Sequence, residues 1–389
     1  MDLGLPGEQY PARRAFRQWL VEHPDPTPHQ LADAGYVAPH WPRPWGLGAD
    51  PVDQLVIDDE MRRAGVRRPS NQIGIGWAGP TLIHAGTEAQ KERYLRPLLA
   101  AEEIWCQLFS EPGAGSDLAG LSTRAERDGD EWVVSGQKVW TSFAHVASFG
   151  ILLARTDPDA PKHKGISYFV CPMDAPGITI RPIVDMTGDH VFNEVFLDEV
   201  RLGPDLLVGE VNNGWSLAKV TLGNERVSLS AEGALWGQGP TAQDLVALVR
   251  RAGGISDRLL RQRLVAVWVE GEILRLMRLR TVSAAVLGRE PGPEASVRKA
   301  LADDHGQSVM EVAKDLSGAH GLIDTGPFES LVAARASTPS PTVDDGTPLW
   351  PSALWSYGYL FARALTIGGG TAEVQRDIIA ERVLALPSS

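Results

Sequence analysis

The chain has 389 residues with 37 Lys and Arg against 49 Asp and Glu, a formal charge of −12. An acidic balance disfavours binding to nucleic acid or to an anionic membrane surface, because phosphate contacts need clustered Lys and Arg. With 43% hydrophobic and 22% charged residues the composition excludes global disorder, and only two cysteines, Cys106 and Cys171, exclude a disulfide scaffold or a Cys-rich zinc site.

At roughly 150 residues per domain the length implies two or three domains. Residues 1–104 read as an N-terminal helical domain. A first helix covers about 10–22 and stops before Pro24, Pro26 and Pro28; helical apolar spacing returns over Val52–Val66 and Glu88–Ala101. Residues 105–207 change texture. Turn signals at Asp128-Gly129, Ser135-Gly136, Asp174–Gly177 and Thr187-Gly188 separate short runs, which predicts an all-β domain of hairpins. Its expected strands are Glu131–Val134, Lys138–Ser142, Phe149–Arg155, Ile166–Cys171, Ile178–Ile183 and Glu194–Leu197. Residues 208–389 are helical again, over about 214–234, 256–287, 295–318, 352–366 and 372–385, with Ser337–Pro348 as an exposed loop. No apolar run approaches the 18 or so residues of a membrane span, and the first 15 residues lack a signal-peptide apolar core. The expectation is a cytoplasmic protein with no membrane and no nucleic-acid partner.

Gly74-Ile-Gly76-Trp-Ala-Gly79 matches a dinucleotide-binding fingerprint in letters only. No strand precedes it, so it reads as a flexible helix connection. The nine His are scattered and imply no metal site; Asp303-Asp304 and Asp344-Asp345 read as solvated charge. The informative stretch is Gln107–Ser142, where a short strand runs into the tight turn Glu111-Pro-Gly-Ala-Gly-Ser-Asp117. Its backbone N–H groups suit an anionic or carbonyl-rich ligand, although a plain surface loop has the same composition. Gly368-Gly369-Gly370-Thr371 leads into a helix starting near Ala372, the pattern of an anion site or of a simple helix-start turn. On the helix over 214–234, Glu225 shares a stripe with Trp215, Ala218, Leu222 and Leu229, whereas Arg226 points about 100° away. A carboxylate among apolar neighbours is costly unless paired or functional, and desolvation would raise its pKa toward a general base's range. A buried ion pair is the other reading of that position.

At these residues the sequence resembles the acyl-CoA dehydrogenase family over nearly its whole length. LFSEPGAGSDLAG at 108–120 and SGQKVWTS at 135–142 carry most of it; EVFLDEVR at 194–201, Gly214–Arg226 and GGGTAEVQRDIIAERVL at 368–384 follow in family order. The resemblance implies an α+β fold: an N-terminal helical domain, a middle antiparallel β-domain and a C-terminal four-helix bundle. It implies FAD held by Gln107, Phe109, Ser110, Gly115, Ser116, Trp140, Thr141 and Ser142, with Trp140 beside the flavin ring and Ser142 on N5, and by Thr371 and Glu373 at a subunit interface. Ser116, Asn224, Arg226 and Gly369 would face the acyl-CoA. The implied reaction is α,β-dehydrogenation of an acyl-CoA thioester, a step of β-oxidation in lipid metabolism. A base takes the α-proton, a hydride passes to flavin N5, and an electron-transfer flavoprotein is the expected acceptor.

The departures sharpen this. Where many members carry the catalytic Glu, this chain has Gly369, whose N–H could still polarise the thioester. A subset of the family places its base on the helix just before an Arg, and here that is Glu225-Arg226. The segments that usually complete a neighbour's FAD site read LVRRAGGISD at 248–257 and DLSGAHG at 315–321, with Asp315 at a Gln position. That resembles the base-bearing chain of α2β2 heterotetramers active in steroid side-chain degradation, with a homotetramer as the alternative. A flavin-dependent monooxygenase or oxidase of the same fold, or a non-catalytic partner subunit, are the rival readings.

Overall fold

The computed structural model describes residues 5–229, 234–236, 239–251, 253–286, 292–318 and 352–387; the stretch 337–348, with Asp344 and Asp345, lies outside the described residues. Two compact units divide them. The first holds the described residues within 1–183, 191–224 and 282–289; the second holds those within 184–190, 225–281 and 290–389.

The first unit opens with five helices: α1 (Pro11–Glu22), α2 (Pro28–Asp33), α3 (Pro51–Ala64), α4 (Gly79–Ala85) and α5 (Glu88–Leu99). The sequence explains their ends. Proline opens α1, α2 and α3, where its missing N–H costs nothing. Thr27 with Gln30, and Thr87 with Gln90, close reciprocal caps on α2 and α5. Gly65 at φ 68° stops α3 two residues earlier than its apolar pattern suggests. The short α2 and α4 carry too few periodic residues to be foreseen. The Gly74–Ala78 segment is a π-helical turn running straight into α4, so it is packed helix rather than a flexible connection. A Cβ on Gly79 would sit 2.2 Å from Trp41 Cη2; that glycine serves close packing of an indole.

The sheet of this unit has strands β1 (Trp105–Leu108), β2 (Arg124–Asp128), β3 (Glu131–Ser142), β4 (Phe149–Arg155), β5 (Ile166–Pro172), β6 (Ile178–Ile183), β7 (Phe192–Leu202) and β8 (Leu207–Val208). The spatial order is β6-β7-β3-β2-β4-β5-β8, predominantly antiparallel, with β1 paired parallel to β4. Hairpins alone do not describe it, since β7 crosses over to pair with β3. The two runs expected on either side of Ser135-Gly136 are one strand, β3, with register shifts between Val134 and Gly136 and between Lys138 and Thr141. Strand β2, Arg-Ala-Glu-Arg-Asp, buries only Ala125, which is why no apolar alternation announced it. Trp132, Val134, Leu152, Phe169, Val195 and Val200 centre the core of this sheet.

Helix α6 (Gly214–Leu229) belongs to the first unit through Asn224 and to the second from Glu225 on. The second unit continues with α7 (Ala242–Arg251), α8 (Arg258–Val286), α9 (Glu294–Leu316), α10 (Ser352–Phe361) and α11 (Ala372–Ile378). Helix α9 packs against α7, α10 and α11, and its Val309, Met310, Val312 and Ala313 meet Leu245, Leu264, Trp355 and Leu365 in the core. Among the described residues no helix is long and apolar enough to cross a membrane.

Candidate active site

In the first unit the turn after β1 is fastened by one buried ion pair. The Glu111 carboxylate accepts from Ser122 N at 2.6 Å, Ser122 Oγ at 2.7 Å, Thr123 N at 2.9 Å and Lys138 Nζ at 2.9 Å. Lys138, fully buried on β3, also donates to Phe109 O at 3.1 Å, and Val139 N donates to Ser110 O at 2.9 Å. Burial works against the Glu111 charge, but the Lys138 ammonium and these hydrogen bonds overcome it and hold the carboxyl at about 2. Burial drives Lys138 down to about 8 against the pull of Glu111. Thus Phe109, Ser110 and the 111–117 turn are bound to β3. Within that turn Gly115 and Ser116 are exposed, and a Cβ on Gly113 or Gly115 would meet nothing within 4 Å. The turn leaves room for a ligand to approach its backbone.

Strand β3 then delivers Trp140, Thr141 and Ser142. The register shift after Lys138 puts Trp140 at φ 58° and leaves its indole 61% exposed, touched edge-on by Phe192. A large apolar ring held out by a bulge is a platform for another flat ring. Thr141 is fully buried, yet its Oγ1 has no hydrogen-bond partner, a costly state unless a bound group satisfies it. The bulge is pinned by fully buried Asn193 on β7, whose Nδ2 donates to Thr141 O at 3.0 Å and Val191 O at 3.2 Å. Open turn, projecting indole and unsatisfied hydroxyl fit a large planar cofactor with an anionic tail.

In the second unit Glu225 is 7% exposed on α6, on the stripe of Ala218 and Leu229 that the sequence placed it on. That stripe also takes in Thr221, while Trp215 and Leu222 are only half-buried. Arg226 is half-buried; burial lowers its pKa against the pull of Glu225 beside it. Asn224 Nδ2 donates back along the helix to Val220 O at 3.0 Å. One turn beyond Glu225, Leu229 meets the glycine loop: a Cβ on Gly369 would lie 2.5 Å from Leu229 Cδ1 and 3.0 Å from Lys299 Cε. Gly369 also sits at φ 70°. A side chain there, a carboxylate included, would have to push the Leu229 methyl and the Lys299 stem aside and hold a left-handed φ that costs strain. The structure brings Gly369 beside Leu229 on α6, and Thr371 caps α11, its Oγ1 accepting from Val374 N. Glu373 is exposed, its carboxyl lowered by its own N–H and the Thr371 hydroxyl.

The sequence reading missed the residues holding that loop. Asp303 is not solvated: it is 2% exposed and takes a 2.5 Å bond from Lys299 Nζ, whereas Asp304 is exposed. Burial pushes the Asp303 carboxyl up to about 6 against the pull of Lys299. Lys299 and Asp303 lie four apart on α9, the spacing of an intrahelical pair, which is the one signal available beforehand. Asp315 pairs with Arg263 at 2.5 Å. Among the described residues no group of three His, Cys, Asp or Glu is placed to hold a metal ion.

Comparison with known proteins agrees with this architecture. The family models Acyl-CoA dehydrogenase, N-terminal, middle and C-terminal domain match residues 9–102, 106–200 and 212–340. Acyl-CoA dehydrogenase FadE34 of Mycobacterium tuberculosis is 43% identical over 92% of this chain, although the chain spans only 45% of that relative's length. Acyl-CoA dehydrogenase IpdE1 of the same organism is 38% identical over 99% of this chain and 91% of its own. Among solved structures, the Tcur3481-Tcur3483 steroid ACAD superposes with TM-score 0.77 at 32% identity, covering 93% of this chain and 88% of that one. The ChsE4-ChsE5 complex from Mycobacterium tuberculosis superposes with TM-score 0.76 at 29% identity, covering 100% of both chains. The chain belongs to the acyl-CoA dehydrogenase family, FAD-dependent oxidoreductases that act on acyl-CoA.

Proposed function

We propose that this chain catalyses α,β-dehydrogenation of a bulky, steroid-like acyl-CoA with Glu225 as the base. One observation carries the reading: a carboxylate is buried at 225, while position 369, where many relatives keep theirs, is a glycine at φ 70° packed against Leu229 and Lys299. FAD, when bound, accepts the β-hydrogen as a hydride at N5. Gln107, Phe109, Ser110, Gly115, Ser116, Trp140, Thr141 and Ser142 would hold it, with Thr371 and Glu373 contributed at a subunit interface. Glu225 takes the α-proton, the Gly369 N–H polarises the thioester oxygen, and Arg226 orients the base; Ser116 and Asn224 contact the acyl-CoA.

We further propose that a paralogous chain completes an α2β2 assembly, with an electron-transfer flavoprotein as acceptor, in the cytoplasm. Two similar structures, the Tcur3481-Tcur3483 steroid ACAD and the ChsE4-ChsE5 complex, each pair two named components. Helix α8 supports a covering subunit: Val265, Trp268, Val269, Ile273 and Leu276 form an apolar stripe, each 43–49% exposed. Replacing Glu225 with Gln tests the base. Flavin should stay bound and bleaching by substrate should vanish; full flavin reduction by Glu225→Gln would sink the assignment.

A further inference from the structure

We propose that Lys299 is a positioning residue that aims the Gly369 N–H, with Asp303 fixing Lys299 and Gln375 fixing the rest of the loop. The inference rests on the reading above, in which that N–H polarises the thioester.

The geometry is that of a clamp applied from behind. Lys299 is fully buried, and its ammonium donates to Asp303 Oδ2 at 2.5 Å, Gly368 O at 2.9 Å and Leu365 O at 3.1 Å. Its three donors thus have three acceptors. In a trans peptide unit the C=O and the following N–H point in opposite directions. Binding Gly368 O therefore turns the Gly369 N–H away from Lys299. Gln375 Nε2 continues the pattern, donating to Gly369 O at 3.1 Å and Gly370 O at 3.2 Å, which turns the N–H groups of Gly370 and Thr371 away from Gln375. Two consecutive glycines at φ 70° and 86° have many other conformations open to them, so the loop needs holding. Stability alone is a weak reason for a buried Lys–Asp pair, since an apolar pair of equal volume often does as well or better. A donor aimed in advance at developing charge is a strong one.

The test uses a β-arylacryloyl-CoA, whose absorption moves to longer wavelength when its carbonyl is hydrogen-bonded, added to the holoenzyme. Wild type should show the red shift, and Glu225→Gln should keep it while losing substrate reduction. The charge-neutral double variant Lys299→Met/Asp303→Asn should keep its flavin, lose the red shift, and lose roughly 10²–10³-fold in kcat with little change in KM. A double variant with wild-type shift and kcat overturns the positioning role alone. A wild type without any shift overturns the Gly369 reading and this inference with it. Should the double variant not fold, Lys299→Arg, which keeps charge but not length, should show a reduced shift; an unchanged band overturns the role.

Discussion

Glu111 and Lys138 show how one buried pair decides the shape of the turn proposed to face the cofactor. Removing one charge and leaving the other is the severe change, because the survivor stays desolvated. Glu111→Gln should cost about 3–5 kcal/mol in urea unfolding at neutral pH, because it removes the carboxylate whose pull opposes the burial that lowers Lys138. The same pair sets an acid limit. The Glu111 carboxyl sits at about 2 in the folded chain against an ordinary 4.5, so between these values the unfolded chain binds more protons. Its contribution is complete above pH 4.5 and is lost as pH falls toward 2. In a urea series across that window Glu111→Gln should show a shallower loss of stability than wild type; parallel slopes would show the pair is not the group that titrates.

At the level of elements, the bulge in β3 and the glycine loop before α11 each present groups through backbone conformation. Asn193 holds the first by donating to Thr141 O and Val191 O. Asn193→Ala takes the side-chain donor from Thr141 O, while Val191 O keeps the one from Phe143 N, at a cost of about 1–3 kcal/mol. We expect flavin to dissociate faster from it, read as loss of flavin fluorescence quenching with time; unchanged retention would mean the bulge holds itself. The loop makes an opposite kind of prediction. A carboxylate at 369 would have to displace Leu229 and Lys299 and adopt φ 70°. Gly369→Glu in a Glu225→Gln background should therefore not restore activity, and should lower the free energy of unfolding as overpacking does, by about 1–3 kcal/mol. Recovered turnover would show that the loop can rebuild.

For the molecule as a whole, the proposed second subunit yields the simplest prediction. Expressed alone, the chain should purify with well under one FAD per chain, and co-expression with a paralogous partner should restore the flavin spectrum. A full flavin band from the lone chain would favour a homo-oligomer. The α–β–α order was legible because it rests on local periodicity and turn chemistry, and α1, α5, α8 and α9 were marked by caps or long apolar periods. Long motifs in family order made the cofactor and reaction class legible too. Strand β2 and helix α7 were not, nor was the continuity of β3 through Ser135-Gly136, because a mostly charged strand and a turn-like dipeptide are decided by their neighbours. The same holds at the candidate site. The stripe that set Glu225 on a buried face is a property of one helix, and sequence alone supplied it. That a side chain at 369 would strike Leu229 and Lys299, and that the Lys299–Asp303 pair is buried against Leu365 and Gly368 rather than solvated, depends on residues dozens of positions apart being packed together. Periodicity reports which face of an element is apolar; only tertiary contact decides which polar group is desolvated there, and by what partner.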